Sequence, residues 1–170
     1  GFCAAREHAP AAARFADIEV RLARFIQGLS GRALALSAGT FPHTDTETVF
    51  LPAQLASLPT QDGNRRLYKA TAALLWAQTR YGTFGSSAVD IQSALARWPD
   101  RERALRWFAA LEAVRLEAVL GAELPGLAAE IAALRGPWPQ ELRPAVERLG
   151  RADAAVSHSL TFLAECMAGD

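Results

Sequence analysis

The chain has 170 residues, 51% hydrophobic and 21% charged, a globular composition with enough length for a core of its own and unlike that of a disordered segment. Its 18 basic and 18 acidic residues cancel, so net charge gives no reason to expect nucleic acid or an anionic membrane as partner, although a local basic patch is compatible with it. No apolar run nears the ~18 residues of a membrane span, and the opening GFCAAREHAPAAARFADIE carries charges where a signal peptide needs an apolar stretch.

In chain order, Ala9 to Gln27 reads as a helix. Phe15, Ile18, Leu22, Phe25 and Ile26 recur at three- and four-residue spacing, and Gly28 suits its end. From Gly31 to Pro52 the pattern changes: Arg32–Leu36 and Thr48–Leu51 are short β-compatible runs around a tip rich in turn formers. A two-stranded hairpin or ribbon is expected there. His43, Asp45 and Glu47 gather at the tip, but no second ligand cluster accompanies them, and a solvated loop explains them better than a metal site. Pro52 is expected to open a helical turn through Leu55 and Leu58.

Asp62 to Tyr81 reads as a strong helix, with Asp62 or Asn64 as N-cap and Leu67, Tyr68, Thr71, Leu74 and Leu75 as the inward arc, Gln78 lying within it. Trp76 projects off that arc. Ser86 to Trp98 is a shorter helix. Pro99 then precedes the longest helix, Arg101 onward, closed by Pro125-Gly126. On it Leu105, Phe108, Leu111 and Val119 share an arc with Glu112 and Arg115, while Arg106 and Glu117 face away. An acid and a base three residues apart on a helix can pair, and on an apolar face they are costly unless they do. Two readings stay open, a structural ion pair and the remnant of a site. Leu127–Leu134, Glu141–Leu149 and Ala152–Met167 complete a mainly α fold, a multi-helix bundle with one short hairpin or ribbon.

Several chemistries lack their sequence signals. There is no phosphate-binding G-x-x-x-x-G-K-[ST] loop, no G-x-G-x-x-G, no G-x-S-x-G elbow and no H-E-x-x-H helix, and His8, His43 and His158 lie on separate segments. Cys3 and Cys166, near opposite ends, lack metal spacing; they suit a reducing, cytoplasmic setting better than a terminus-to-terminus disulfide. No cofactor is expected. A chain beginning at Gly1, its only methionine Met167, reads as a piece of a longer protein.

Two stretches carry a resemblance. TDTETVFLP followed by NRRLYKATAALLWAQTRYGTF occupies Thr44–Phe84, and LEAVRLEAVLGAELPGL occupies Leu111–Leu127. Together they resemble the N-terminal helical part of the CbbO/NorD group, whose pattern runs approximately T-D-G-x-x-[IV]-x-L-P, N-x-x-L-Y-[RK], a helix ending Y-G-T, and E-[DA]-x-R-[IL]-E ahead of P-G-L. Proteins of that group carry a von Willebrand factor A domain further on and work with a hexameric MoxR-type AAA+ ATPase. Many relatives place histidines where this chain has Leu74 and Gln78, with a glutamate matching Glu112 as a downstream zinc ligand. The resemblance therefore implies a degenerate metallopeptidase-like scaffold, without metal or catalytic residues, in which Glu112, Arg115 and Gln78 form a structural cluster. It implies a single helical domain over residues 1–170, acting as an adaptor for the ATPase and its client. Rubisco is the preferred client. Nitric oxide reductase maturation and a stand-alone helical interaction module are the alternatives. Trp76, Trp98, Trp107 and Trp138, off the inward arc or at helix edges and ends, are the candidate contact surface, against the alternative that short helices cover them.

Overall fold

The computed structural model describes residues 11–31, 34–83 and 91–168. Among them the fold is mainly α. The elements are β1 (Ala13–Arg14), α1 (Phe15–Ser30), β2 (Ala35–Gly39), β3 (His43–Thr44), β4 (Thr48–Pro52), β5 (Gln54–Leu55), α2 (Gln61–Arg80), α3 (Ile91–Ala96), α4 (Arg101–Glu123), α5 (Pro125–Arg135), a 3-10 turn (Gln140–Leu142), α6 (Arg143–Leu149) and α7 (Val156–Ala168). The chain divides into two compact units, Gly1–Trp76 and Ala77–Asp170, the division falling inside α2.

In the first unit the expected opening helix is shorter than its periodicity suggested. Ala13 and Arg14 pair antiparallel with Leu55 and Gln54 instead, and residues 9 and 10 lie outside the described residues. The pairing also replaces the helical turn expected after Pro52. Helix α1 runs through Gly28 and stops at Gly31, which takes φ 68° and returns its N–H to Gln27 O at 3.0 Å. Only glycine adopts that left-handed conformation without strain, so Gly31 ends the helix and Gly28 does not.

The expected hairpin is a three-stranded sheet in the order β2-β4-β3. Of the expected runs, residues 32 and 33 lie outside the described residues, Ala35 and Leu36 fall in β2, which continues to Gly39, and Thr48–Leu51 falls in β4. The two strands lie side by side but parallel, Leu36 opposite Val49 and Ala38 opposite Leu51. The residues between them cross to the far edge and form β3, antiparallel to β4. The tight turn is the one from β3 to β4, where Asp45 Oδ1 accepts from Glu47 N at 3.0 Å and Thr48 N at 2.6 Å. Those hydrogen bonds hold the Asp45 carboxyl below its ordinary pKa. His43 meanwhile stacks on Phe50, with ring centroids 4.4 Å apart, and its Nδ1 meets Phe41 O at 3.0 Å. The tip residues are thus engaged in turn closure and ring packing. As the central strand, β4 buries Val49 and Leu51 completely, each worth ~1.5–3 kcal/mol.

Helix α2 is capped by Thr60, whose Oγ1 accepts from Gly63 N at 3.0 Å, rather than by Asp62 or Asn64. Asn64 is fully buried and does something else. Its Oδ1 accepts from Leu58 N at 2.9 Å, and its Nδ2 donates toward Ala11 O, Leu58 O and Thr60 O at 2.9–3.0 Å. The side chain thus stands in for a strand neighbour to two loops. One turn on, Tyr68 is also fully buried and donates to Pro52 O at 2.6 Å.

The buried arc of α2 is rotated from the expected one. Asn64, Tyr68, Ala72, Leu75 and Trp76 are buried, while Leu67, Thr71, Leu74 and Gln78 are half-exposed. The expectation followed bulk; the structure buries alanines (Ala70, Ala72, Ala73 and Ala77), where small side chains permit close approach. Trp76 consequently lies inside at 5% exposure and is not a surface contact.

In the second unit α4 is the central helix, packed against α3, α5, α6 and α7. Asp100 caps it, its Oδ1 accepting from Arg103 N at 2.8 Å, and Pro125 ends it by opening α5. The core gathers Phe108, Leu111 and Val114 of α4 with Leu142, Ala145 and Leu149, and with Val156, Leu160 and Leu163 of α7. Leu105, expected inside, is 52% exposed, because the first turns of α4 bury only a narrow stripe. Further along, neighbours on several sides bury Leu111, Val114, Leu116 and Leu120, and α5 partly covers Glu117. Helix α7 begins at Val156, later than the expected Ala152; the N–H of Ala155 donates to His158 Nδ1 at 2.8 Å ahead of it. The first residues of the expected Ser86–Trp98 helix lie outside the described residues.

Candidate functional site

Glu112 and Arg115 lie one helical turn apart on the inner face of α4, each 1% exposed. The guanidinium grips the carboxylate with two parallel bonds, Nε to Oε1 at 2.8 Å and Nη2 to Oε2 at 2.7 Å, the forked geometry arginine makes best. Nη2 also donates to Thr83 Oγ1 at 3.0 Å, and Nη1 reaches Tyr81 O at 3.2 Å and Ala154 O at 3.4 Å. An arginine has five N–H groups; here each has an acceptor. Thr83 closes the circuit by donating to Glu112 Oε2 at 2.5 Å.

Local sequence explains how Thr83 arrives. Helix α2 ends in a Schellman turn: Gly82 takes φ 79°, Tyr81 N bonds Ala77 O, and Thr83 N bonds Gln78 O, both at 2.9 Å. The left-handed glycine swings the next residue back across the helix end and brings Thr83 to the pair. Gln78, expected as the polar partner, contributes only its main-chain carbonyl to this turn, and its side chain bonds neither charged residue. Thr83, the Tyr81 carbonyl and the Ala154 carbonyl take that place. The Y-G-T segment signalled a helix end. That its threonine meets a carboxylate 29 residues later is a tertiary fact.

The network ties the end of α2 to α4 and to the segment ahead of α7. Both carboxylate oxygens are occupied and every N–H of the guanidinium has an acceptor. Among the described residues no group of three or more His, Cys, Asp or Glu side chains converges in a way that could hold a metal ion. Cys166 is a free, half-buried thiol, and burial pushes its pKa up.

Of the other tryptophans, Trp98, Trp107 and Trp138 are half-buried and pack against the core of the second unit. The Arg135 guanidinium lies 3.7 Å above the Trp138 ring and pairs with Glu117 at 2.6 Å. Arg97 stands 5.2 Å over Trp98. Trp107 borders an open hollow with Arg103, Arg106, Ala110, Pro139, Glu141 and Leu142. These three are partly exposed, whereas Trp76 is buried.

The chain matches no protein-family model, no curated protein and no solved structure. Among the described residues, no helix is long and apolar enough to cross a membrane.

Proposed function

We propose that this chain is a non-catalytic adaptor domain of CbbO type, which couples a MoxR-type AAA+ hexamer to a client enzyme in the cytoplasm, with Rubisco as the preferred client. One observation carries the reading. Two motifs of the resemblance, Y-G-T at Tyr81–Thr83 and E-A-x-R at Glu112–Arg115, are separated by 29 residues from Thr83 to Glu112 and meet in a single saturated network. Motif residues that close on one another in this way are those a shared scaffold would retain after losing its metal ligands. A smaller feature agrees: Thr46 takes φ 81°, the left-handed region favouring glycine, where the group's T-D-G pattern carries glycine.

The test is co-purification with a MoxR-type ATPase, followed by ATP-dependent release of inhibitory sugar phosphate from Rubisco. A folded chain that binds no MoxR-type hexamer would end the adaptor reading. Binding without Rubisco reactivation, coupled to nitric oxide reductase maturation, would move the client to the NorD type. One zinc per chain retained through chelator-free purification, with Glu112 among its ligands, would overturn the degenerate scaffold.

A further inference from the structure

The chain is neutral overall, yet one groove of the first unit is not. Between α1 and α2 lies an open groove of about 270 Å3, floored by Ile18, Leu22 and Phe25. Its walls carry Arg21 from α1, and Asp62, Arg65, Arg66 and Lys69 from α2: four positive charges against one negative. Positions 62, 65, 66 and 69 form one stripe of α2, as 18, 21, 22 and 25 do on α1, since both sets follow the i, i+3, i+4, i+7 spacing of a helix face. Arg21, Arg65 and Arg66 are exposed and, among the described residues, make no ion pair. The Lys69 ammonium lies 5.1 Å from the Phe25 ring centroid, at the floor. Elsewhere the arginines of α4, α5 and α6 include several that have found carboxylates: Arg106 with Glu102, Arg135 with Glu117, Arg148 with Glu165.

We propose that this groove docks an acidic peptide segment of a partner protein, an apolar side chain resting on Ile18, Leu22 and Phe25 and flanking carboxylates pairing with Arg21, Arg65 and Arg66. Charge complementarity selects the occupant, because arginine's fork fits a carboxylate and clusters of arginine are a recurring way to read acidic motifs. Shape excludes others. The volume falls below the ~300–1,000 Å3 of pockets that enclose small molecules, and the groove is open to solvent, which suits a side chain presented on a peptide. A nucleic acid draws its affinity from many phosphates along a basic track; here the excess positive charge sits over an apolar floor. The inference does not depend on the ATPase reading, since any partner with such a segment would satisfy it.

The experiment titrates the full chain into fluorescein-labelled EDELFEDE and follows polarisation, with QNQLFQNQ and EDEGGEDE as comparison peptides. Saturable binding of EDELFEDE is expected, weakened about tenfold or more by the double reversal Arg65→Glu/Arg66→Glu and by added salt. Arg65→Lys/Arg66→Lys should keep most of the affinity, and both comparison peptides should bind far more weakly. Both arginines are exposed, so the melting temperature should hold; if the reversal unfolds the chain, Arg21→Glu on the opposite wall takes its place. No saturable binding, or equal binding by the charge-reversed chain, would overturn the proposal. Equal affinity for EDEGGEDE, or equally effective competition by a thymidylate oligonucleotide of the same charge, would overturn it in favour of a general polyanion surface.

Discussion

Thr83 donates to the Glu112 carboxylate at 2.5 Å and accepts from the guanidinium that neutralises it. One hydroxyl therefore joins the end of α2 to the middle of α4, and it is useful only because both charges are already paired. Breaking the pair from either side leaves the other charge stranded in a site with about 1% exposure. Arg115→Ala and Glu112→Ala should each cost about 3–5 kcal/mol in chemical denaturation, whereas Glu112→Leu/Arg115→Met together should cost much less. Thr83→Val should lose about 1–3 kcal/mol and Thr83→Ser little. An Arg115→Ala chain as stable as the wild type would refute this account.

Thr46 carries the one strained backbone among the described non-glycine residues, at φ 81°. A β-branched side chain is poorly suited to the left-handed region. Replacing it with glycine should stabilise the chain by about 1 kcal/mol. A melting temperature lowered by Thr46→Gly would show that the threonine side chain contributes more than its backbone costs.

Asn64 faces three carbonyl oxygens with its amide nitrogen and one N–H with its amide oxygen. Asn64→Ala should cost about 1–3 kcal/mol through unmet backbone groups. Asn64→Asp should be worse at neutral pH, because a carboxylate oxygen would face those carbonyls, and should recover as acid protonates it. Denaturation curves at neutral and acid pH separate the two variants; an Asp variant as stable as wild type at pH 7 would contradict the geometry.

Tyr68 and Tyr81 are the two tyrosines of the chain, and burial pushes both phenols from 10.0 up to about 12, helped at Tyr81 by the Glu123 carboxylate. The folded form then binds its phenolic protons more tightly than the unfolded form does. Their contribution to stability is complete below pH 10 and disappears as pH rises from there through 12. Ultraviolet titration should therefore show little phenolate at pH 10 in the folded chain, with ionisation and unfolding appearing together above it. Free titration of either phenol near 10 without loss of helicity would disprove the coupling.

Trp76 is only 5% exposed. Trp76→Ala should cost about 3–5 kcal/mol by leaving a cavity. Trp107→Ala, at a half-buried position, should cost less. If Trp76→Ala changed partner binding at unaltered stability, its interior position would be wrong.

The elements whose signals are local were legible in the residues alone. Apolar periodicity located α1, α2, α4 and the helices after Pro125; Pro99, Pro125 and Gly82 marked their ends; short β-compatible runs located β4 and the first two residues of β2; and a three-residue spacing inside an apolar arc exposed the Glu112–Arg115 pair. Whatever depends on which surface a neighbour covers emerged only from the packing of the folded chain. Periodicity gives a helix an apolar side but weighs leucine above alanine, so the arc of α2 was misoriented and Trp76 was placed outside. Strand propensity carries no direction, so a parallel pairing with β3 on the far edge was read as a hairpin. A hydrogen bond across 29 residues leaves no periodic trace, so Gln78 stood where Thr83 belongs. Burial and long-range pairing are properties of two segments at once, and a one-dimensional pattern describes only one of them.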